Sequence, residues 1–278
     1  MLKILIPTDL GIGSRAGMRF AIQWARQQKA MLIFFHAAYI ARLTRWSEKQ
    51  YQTFRTEELN MRQRRLRQIA AGALTRADAH DQAYDCVIVE GSSPEVALQD
   101  YCRKHKDIDF ICMSTGGAAG LHRLWGTHAG NMVTQSTTPV IVVPKGYRTI
   151  PVSRLLYATD LNHYQEELEK IVPLVHHLQA ELHILHLVGH DEMVPDKDLF
   201  EKVIKQEFHI ETNIHLEIMD ETRSVAANLH KFMKKMRPSL VVMFTDRQRT
   251  LFEKIFYPSK VESFAFRTHT PLLAFSKH

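Results

Sequence analysis

Cysteine and long hydrophobic runs are both scarce in this sequence. Its 278 residues include three cysteines, Cys86, Cys102 and Cys112, and no C-x-x-C pair. A disulfide-stabilised secreted domain and a zinc site built from paired cysteines are therefore not expected, and we predict reduced thiols in a cytoplasmic protein. No apolar run approaches the roughly 20 residues of a transmembrane helix. The first residues also lack the pattern of a signal peptide, so no membrane partner is expected.

A strong excess of one charge is also missing. The formal net charge is +6 at pH 7, which raises the question of a nucleic-acid partner. No nucleic-acid recognition motif accompanies this charge. The densest basic cluster (Arg62, Arg64, Arg65 and Arg67) interrupts an apolar stripe at helical spacing, which is typical of the solvent-facing side of an amphipathic helix. Nucleic acid is therefore not an expected partner.

The sequence repeats itself, with matching segments in the same order in each half. The segment K-I-L-I-P-T-D-L returns as R-L-L-Y-A-T-D-L, and a helical stretch follows each copy. The matching segments are residues 3–10 and 154–161, 15–28 and 165–179, 30–36 and 180–186, 109–115 and 239–245, and 138–143 and 270–275. Such internal similarity indicates two copies of one structural unit.

Within each half, short β-rich apolar runs alternate with helical patterns. This alternation predicts an α/β fold whose parallel sheet is buried on both faces. Strands are predicted near residues 2–7, 31–37, 85–90, 109–114, 139–143, 154–158, 181–187, 214–219, 239–244 and 271–275. A long helix is predicted around 47–79, and Ser93 and Pro94 are predicted to start a helix that runs to Lys104. Because Gly146 and Pro151 interrupt the pattern, we predict two consecutive open five-stranded domains, residues 1–146 and 153–278, related by pseudo-two-fold symmetry.

Two segments of the first half follow strands at the sheet edge where such folds bind ligands. Residues 7–14 leave the first strand. The segment after Met113 leaves the fourth strand and is rich in glycine. Glycines let backbone N–H groups approach an anion, and a helix beginning near Thr127 would direct its positive end to the same place. Phosphate binding is the favoured interpretation of this loop, and a surface turn is the alternative.

Together, Asp9 after the first strand, the glycine-rich loop, Gly126 with Thr127, and Thr138 with Pro139 resemble the universal stress protein family. The resemblance covers both halves, so the chain looks like a tandem member. It implies Rossmann-like, adenine-nucleotide-binding domains that often hold ATP through the pattern Gly-x2-Gly-x9-Gly-Ser/Thr. The nucleotide-site residues that it implies in the first half are Pro7, Thr8, Asp9, Ala37, Met113, Ser114, Gly116, Gly117, Gly120, Gly126, Thr127, His128 and Ala129.

The resemblance also implies separate roles for these residues. Asp9 would serve the nucleoside end, Ala37 would line the base pocket and Met113 would lie beside the adenosine. The phosphates would be held by Gly117, Gly126, Thr127 and His128. The loop departs from the family pattern in two respects: Ser114 occupies the place of the first glycine, and eight residues separate Gly117 from Gly126.

The second half lacks the glycine loop. Pro258 and Ser259 replace Gly126 and Thr127, and Arg247 replaces Gly117. Because proline has no N–H donor and arginine fills the loop, we predict that this half does not hold ATP and serves as a structural or interaction copy. A different anion bound by Arg247 or Arg249 is left open.

These features lead to a non-enzymatic stress-response protein that binds ATP or another adenine nucleotide in its N-terminal domain. The alternative is an interaction scaffold that binds no nucleotide. A nucleotidyl-transfer enzyme is not favoured, because neither a phosphate-loop motif nor a Ser-Gly-Gly or His-Ile-Gly-His motif is present, although slow ATP hydrolysis is left open. The spacing of the 16 histidines predicts no metal site. The resemblance further implies antiparallel pairing of the two last strands within one chain, and a homodimer is left open.

Overall fold

The structure is a computed structural model of the chain. The structure describes residues 1–115, 132–133, 136–245 and 269–276. The strands are β1 Lys3–Pro7, β2 Met31–Ala38, β3 Tyr84–Glu90, β4 Phe110–Ser114, β5 Val140–Val143, β6 Arg154–Thr159, β7 Glu181–Val188, β8 Thr212–Ile218, β9 Leu240–Thr245 and β10 Leu272–Ser276. The longer helices are α1 Arg15–Gln28, α2 Glu48–Arg76, α3 Pro94–Lys104, α4 Tyr164–Leu178, α5 Lys197–Phe208 and α6 Val225–Met236.

All ten strands form one sheet, in the order β3-β2-β1-β4-β5-β10-β9-β6-β7-β8. Neighbouring strands are parallel within each half. The halves meet at β5 and β10, which pair antiparallel with Ile141 opposite Leu273. The predicted α/β class with five parallel strands in each half is confirmed. The five strands of each half are joined edge to edge through this pair, which is the antiparallel pairing that the family resemblance implies.

The strand order reverses once within each half. The first half runs outward from β1 to β2 and β3, and then returns to β4 on the other side of β1. The second half repeats this course with β6, β7, β8 and β9. Open α/β sheets bind ligands beyond the carboxyl ends of their strands at such a reversal. In the first half this point lies between the end of β1 and the end of β4.

Hydrophobic side chains cover both faces of the sheet, as expected for parallel strands buried on both sides. Helices α1, α2, α4 and α5 cover one face and form the first core, in which Phe20, Trp24 and Phe34 are fully buried. Helices α3 and α6 cover the other face and form the second core, which includes Leu5 and Phe35. Consecutive residues of one strand therefore belong to different cores, and strand position fixes the face on which a site residue lies.

The connection between the halves packs against α1. The Gln27 side chain accepts from Val152 N at 3.0 Å and donates to Val152 O at 3.3 Å. Tyr147 is buried, and its ring centroid lies 5.4 Å from that of Phe20. Arg19 donates to Tyr147 O at 3.0 Å. The predicted domain limits fall within and beside this packed connection, and they stay a prediction.

Two local predictions on the helices of the first half need correction. Ser93 does not cap α3 with its side chain; its hydroxyl donates to Glu95 at 2.8 Å, whereas Pro94 occupies the first turn as predicted. On α2, Arg64, Arg65 and Arg67 are exposed as predicted. Arg62 is partly buried instead, because it faces the end of β2. In the described part of the chain, no helix combines the length and the apolar composition that crossing a membrane requires.

Candidate functional site

The turn after β1 places a carboxylate at the point where the strand order reverses. The Asp9 Oδ1 atom accepts from Gly11 N at 2.9 Å and from the Ser14 hydroxyl at 2.8 Å. The Thr8 hydroxyl accepts from Leu10 N at 3.0 Å, and Leu10 adopts a left-handed φ of 61°. Side-chain acceptors of this kind fix a turn that backbone hydrogen bonds alone would leave open. The turn therefore holds the exposed Asp9 carboxylate in one orientation.

The two neighbouring strands contribute apolar side chains on a single face of the sheet. Ala37 near the end of β2 and Met113 near the end of β4 are partly exposed and pack against the second core. Because β2 and β4 flank β1, these residues lie on either side of the strand that carries Asp9. The structure thus brings together Asp9, Ala37 and Met113 at the carboxyl edge. Pro7, at the end of β1, is partly exposed.

Ser114 connects the end of β4 to the first turn of α1. Its hydroxyl accepts from Gly17 N at 2.7 Å. A Cβ atom on Gly17 would lie 3.1 Å from Met113 C and from Ser114 N. Ser114, which stands in place of the first glycine of the expected pattern, is therefore hydrogen-bonded to α1. At position 17, α1 approaches β4 so closely that a residue without a side chain is required.

A buried histidine beneath the turn connects β1 with β2 and α2. His36 Nδ1 lies 2.8 Å from Thr8 O, so Nδ1 carries the donated proton. His36 Nε2 lies 3.5 Å from the Arg62 guanidinium, which Glu58 holds at 3.2 Å. Burial lowers the pKa of His36, and the nearby Arg62 charge lowers it further. The ring is therefore neutral at pH 7 and supports the position of Thr8.

His36 and His186 end the matching segments 30–36 and 180–186 of the repeat, but the sequence did not single out Arg62 as the neighbour of His36 in the first half. Arg62 lies in an arginine-rich stretch of α2, and nothing in its local sequence separates it from its exposed neighbours. The available signal was the repeated histidine at the end of the second strand of each half, because a buried ring nitrogen requires a partner.

The sequence profile described as the universal stress protein family matches residues 1–144. The chain belongs to the universal stress protein family. A universal stress protein from Archaeoglobus fulgidus is 18% identical, with a TM-score of 0.69 over 99% of this chain and 96% of its own. A Pseudomonas aeruginosa protein described as a candidate family member is 12% identical, with a TM-score of 0.57 over 99% of this chain and 92% of its own.

A universal stress protein from Arabidopsis thaliana solved with AMP bound is 12% identical, with a TM-score of 0.36 over 52% of this chain and 92% of its own. No curated protein shows a significant sequence match to the chain. The family resemblance that the sequence suggests is confirmed by the profile match, and the two full-length structural matches show that solved family members share the fold of both halves.

The second half of this universal stress protein repeats the turn but changes its surroundings. The Thr159 hydroxyl accepts from Leu161 N at 2.9 Å, and Leu161 has a φ of 66°. His186 Nδ1 lies 3.1 Å from Thr159 O. Its Nε2 faces Glu192 Oε1 at 2.7 Å. A carboxylate therefore occupies the place that Arg62 takes in the first half.

The hydrogen bond from Gly189 N to Glu192, at 3.1 Å, is the main reason that the pKa of this carboxyl lies below its usual value, and the contact with His186 lowers it further. A buried network lies below the same turn. The Tyr157 hydroxyl contacts the Glu167 carboxylate and lies 2.9 Å from the Thr159 hydroxyl. Burial raises the pKa of Tyr157, and the Glu167 charge raises it further.

The remaining predicted phosphate-site residues lie outside the residues that the structure describes. They are Gly116, Gly117, Gly120, Gly126, Thr127, His128 and Ala129. Their counterparts Arg247, Pro258 and Ser259 also lie outside the described residues, as does Arg249. Among the described side chains, no group of three His, Cys, Asp or Glu residues has the arrangement needed to hold a metal ion.

Proposed function

We propose that the N-terminal half binds an adenine nucleotide, with ATP as the principal candidate, in a stress-response protein. The observation that carries this proposal is the convergence of Asp9, Ala37 and Met113 beside the strand reversal. This is the position at which open parallel sheets bind nucleotides. Family membership supports the same assignment.

The three residues offer the chemistry that a nucleoside requires. Only Oδ1 of Asp9 is engaged by the turn within the described residues, so Oδ2 is available to accept from ribose hydroxyls. The small side chain of Ala37 leaves room for a base at the end of β2. The Met113 thioether offers a polarizable, adaptable contact to an aromatic ring. The phosphates would bind to the glycine loop after β4.

We propose further that the protein binds its nucleotide without catalysing a reaction. The second half would serve as a structural or interaction copy, since its residue at the Ala37 position is Leu187, a larger side chain that is packed against the second core. Release of inorganic phosphate from ATP, measured with the intact chain, tests the proposal that the protein catalyses no reaction. Turnover faster than about one per minute would contradict it, because ordinary enzymes turn over at about 1 s⁻¹ or more.

An interaction scaffold without nucleotide is the second candidate. The observation that favours it is the contact between Ser114 and Gly17, which directs this loop residue to α1. The substitution Gly117→Arg separates the two functions. It would abolish ATP binding and any linked activity if the nucleotide proposal is right, and it would change neither if the protein is a scaffold.

The sharpest test uses the same substitution in both halves. In Asp9→Asn, the amide oxygen can still accept from Gly11 and Ser14, but the charge and the second acceptor are lost. We expect ATP binding, measured by calorimetry, to weaken about tenfold, the effect of losing one hydrogen bond to a charged group. The matched control is Asp160→Asn, because Asp160 Oδ1 accepts from Asn162 N in the equivalent turn.

The control variant should bind ATP as the parent protein does. Equal weakening in both variants would place the nucleotide elsewhere. An absence of ATP binding by the parent protein at millimolar concentration, together with no nucleotide released on denaturation and detected by mass spectrometry, would remove the proposal and leave the scaffold.

The pairing of β5 with β10 supports a proposal about the association state of the chain. Because each last strand already has the other as its neighbour, neither edge is available to a second chain. We propose that this intrachain pairing takes the place of a homodimer contact through the last strands. Light scattering at increasing protein concentration tests the proposal, and a dimer that dissociates when Ile141 is replaced by Asp while each chain stays folded would contradict it.

A further inference from the structure

A basic groove runs along the outer side of α1. It encloses about 590 Å³ between α1, the end of α2 and the connection that joins the halves. Four arginines line it: Arg15, Arg19 and Arg26 from α1, and Arg76 from α2. We refer to it as the arginine groove. Arg15 and Arg26 are eleven residues apart, so the groove extends over about 16 Å of helix.

The charges of the arginine groove are not compensated within the described chain. None of the four arginines has a carboxylate within 4 Å among the described residues. Five described arginines outside the groove do have one: Arg42 with Glu48, Arg55 with Glu90, Arg62 with Glu58, Arg103 with Asp100 and Arg223 with Asp220. Asp78 is the acidic residue that lines the groove, and its side chain is turned to solvent near His80. Four positive charges line one groove, and a bound anion would offset their mutual repulsion.

Two of the guanidinium groups are held in place by backbone carbonyls. Arg19 donates to Tyr147 O at 3.0 Å, and Arg26 donates to Ala77 O at 3.0 Å. Each guanidinium has five N–H donors, so donors remain on both after these bonds are made. Anchoring by neutral carbonyls fixes the positions of the groups and leaves their charge uncompensated. Such preorganisation lowers the cost of ordering long side chains when an anion binds.

We propose that the arginine groove binds an elongated small anion that carries at least two phosphate groups. Guanidinium forks match phosphate oxygens in a bidentate arrangement. Two phosphates with up to two charges each balance four arginines within a groove of this size, whereas an acidic peptide would need four separate carboxylates. The volume lies in the range of small-ligand sites.

The arginine groove is distinct from the nucleotide site proposed above. Its helix α1 packs on the first core, whereas Ala37 and Met113 pack against the second core on the other face of the sheet. The groove also includes Thr149 from the connection between the halves. An anion bound there would contact both α1 and this connection.

The test measures binding of inorganic tripolyphosphate to the full chain by calorimetry. The double variant Arg15→Gln, Arg76→Gln removes two exposed guanidinium groups for which the described chain shows no hydrogen bond. We expect its affinity to fall at least about tenfold, because hydrogen bonds to charged groups are lost. The matched control is Arg64→Gln, Arg65→Gln, which removes the same charge from the exposed side of α2 and should change the affinity less than about twofold.

Four results would overturn the proposal: no binding to the parent protein at millimolar tripolyphosphate, equal weakening in the control, loss of binding in Gly117→Arg, or tighter binding of a hexaglutamate peptide. Loss of binding in Gly117→Arg would assign the anion to the glycine loop. Thermal unfolding of each variant without ligand establishes that it is folded, so that a loss of affinity reports on the groove.

Discussion

The two halves share a backbone frame but differ in the side chains that surround the ends of their strands. In both halves a threonine hydroxyl and a left-handed leucine form the turn after the first strand, and a histidine bonds the threonine carbonyl. Above the histidine, the first half carries Arg62 and the second carries Glu192. Local hydrogen bonds fix the turn in both halves. The side chain that faces the histidine can therefore be positive in one half and negative in the other without loss of the fold.

A second difference lies where the first helix of each half meets the sheet. Gly17 and Glu167 each lie twelve residues before the left-handed cap of their helix. Gly17 touches the end of β4, where Ser114 accepts its N–H. In the second half, Glu167 is buried against Tyr157, and the counterpart of Ser114 is Phe244, whose ring stacks on Phe275 at 4.9 Å. The first half thus keeps a close backbone contact at the strand reversal, while bulky side chains occupy this place in the second half.

Gly17→Glu tests this contrast most severely, because it puts the second-half residue into the first half. The new side chain would meet the backbone of Met113 and Ser114, and its carboxylate would lack a partner such as Tyr157. We expect the free energy of unfolding in urea to fall by more than about 3 kcal/mol.

The matched control for this substitution is Gly72→Glu within α2. A Cβ atom there meets first the Arg76 guanidinium, the end of a flexible side chain, at 3.2 Å. Removing a glycine from a helix should keep stability within about 1 kcal/mol of the parent, or raise it. Equal stability of the two variants would show that the contact between α1 and β4 is not restrictive.

The helix starts offer a smaller contrast between the halves. Ser224 caps α6, where its hydroxyl accepts from Ala227 N at 3.2 Å, whereas Ser93 at the start of α3 donates to Glu95 instead. We therefore expect Ser224→Ala to lower the free energy of unfolding by about 1 kcal/mol, and Ser93→Ala by less than about 0.5 kcal/mol. Equal losses in urea unfolding would contradict the difference in capping.

The strands, the repeat and the family were accessible from the sequence because hydrophobic periodicity and strand-end motifs are local. Helix α1 occupies residues 15–28 as predicted, and the predicted strand positions agree with the observed strands to within about two residues. Contacts across long separations were not accessible. Gly17 and Ser114 are 97 residues apart, and Arg62 meets His36 across 26 residues. Nothing in either local pattern specifies which strand end will lie beneath which helix turn.

The same distinction between local patterns and long-range contacts applies to the residues of the predicted nucleotide site. The position of Asp9 at the end of the first strand was predictable because the residue follows an apolar run and is repeated as Asp160. The engagement of Ser114 with α1 was not, because the sequence records only that a serine replaces a glycine. A hydroxyl that replaces a glycine at a strand end gains a partner only where another backbone approaches, and that approach depends on packing between α1 and β4.

The smallest expected effect concerns the charge above each histidine. Arg62→Gln removes the charge that lies near His36, so the pKa of His36 should rise toward its ordinary value of 6.5 while staying below it, because burial persists. Titration of the His36 ring signal by NMR measures this shift. The matched control, Arg67→Gln on the exposed side of α2, should leave the His36 pKa unchanged.

His36 in the first half and Glu192 in the second half are expected to change the stability of the fold in different pH ranges. A histidine with a lowered pKa contributes stability above about pH 6.5, its unfolded pKa, and that stability is lost as pH falls below this value. Arg62→Gln should therefore reduce the loss that His36 causes. Glu192 has a lowered carboxyl pKa, so its contribution is present above its unfolded pKa of about 4.5 and is lost only in more acidic solution. If Arg62→Gln leaves the His36 pKa unchanged, the charge of Arg62 does not act on the His36 ring. The difference in charge between Arg62 and Glu192 would then have no electrostatic consequence for His36.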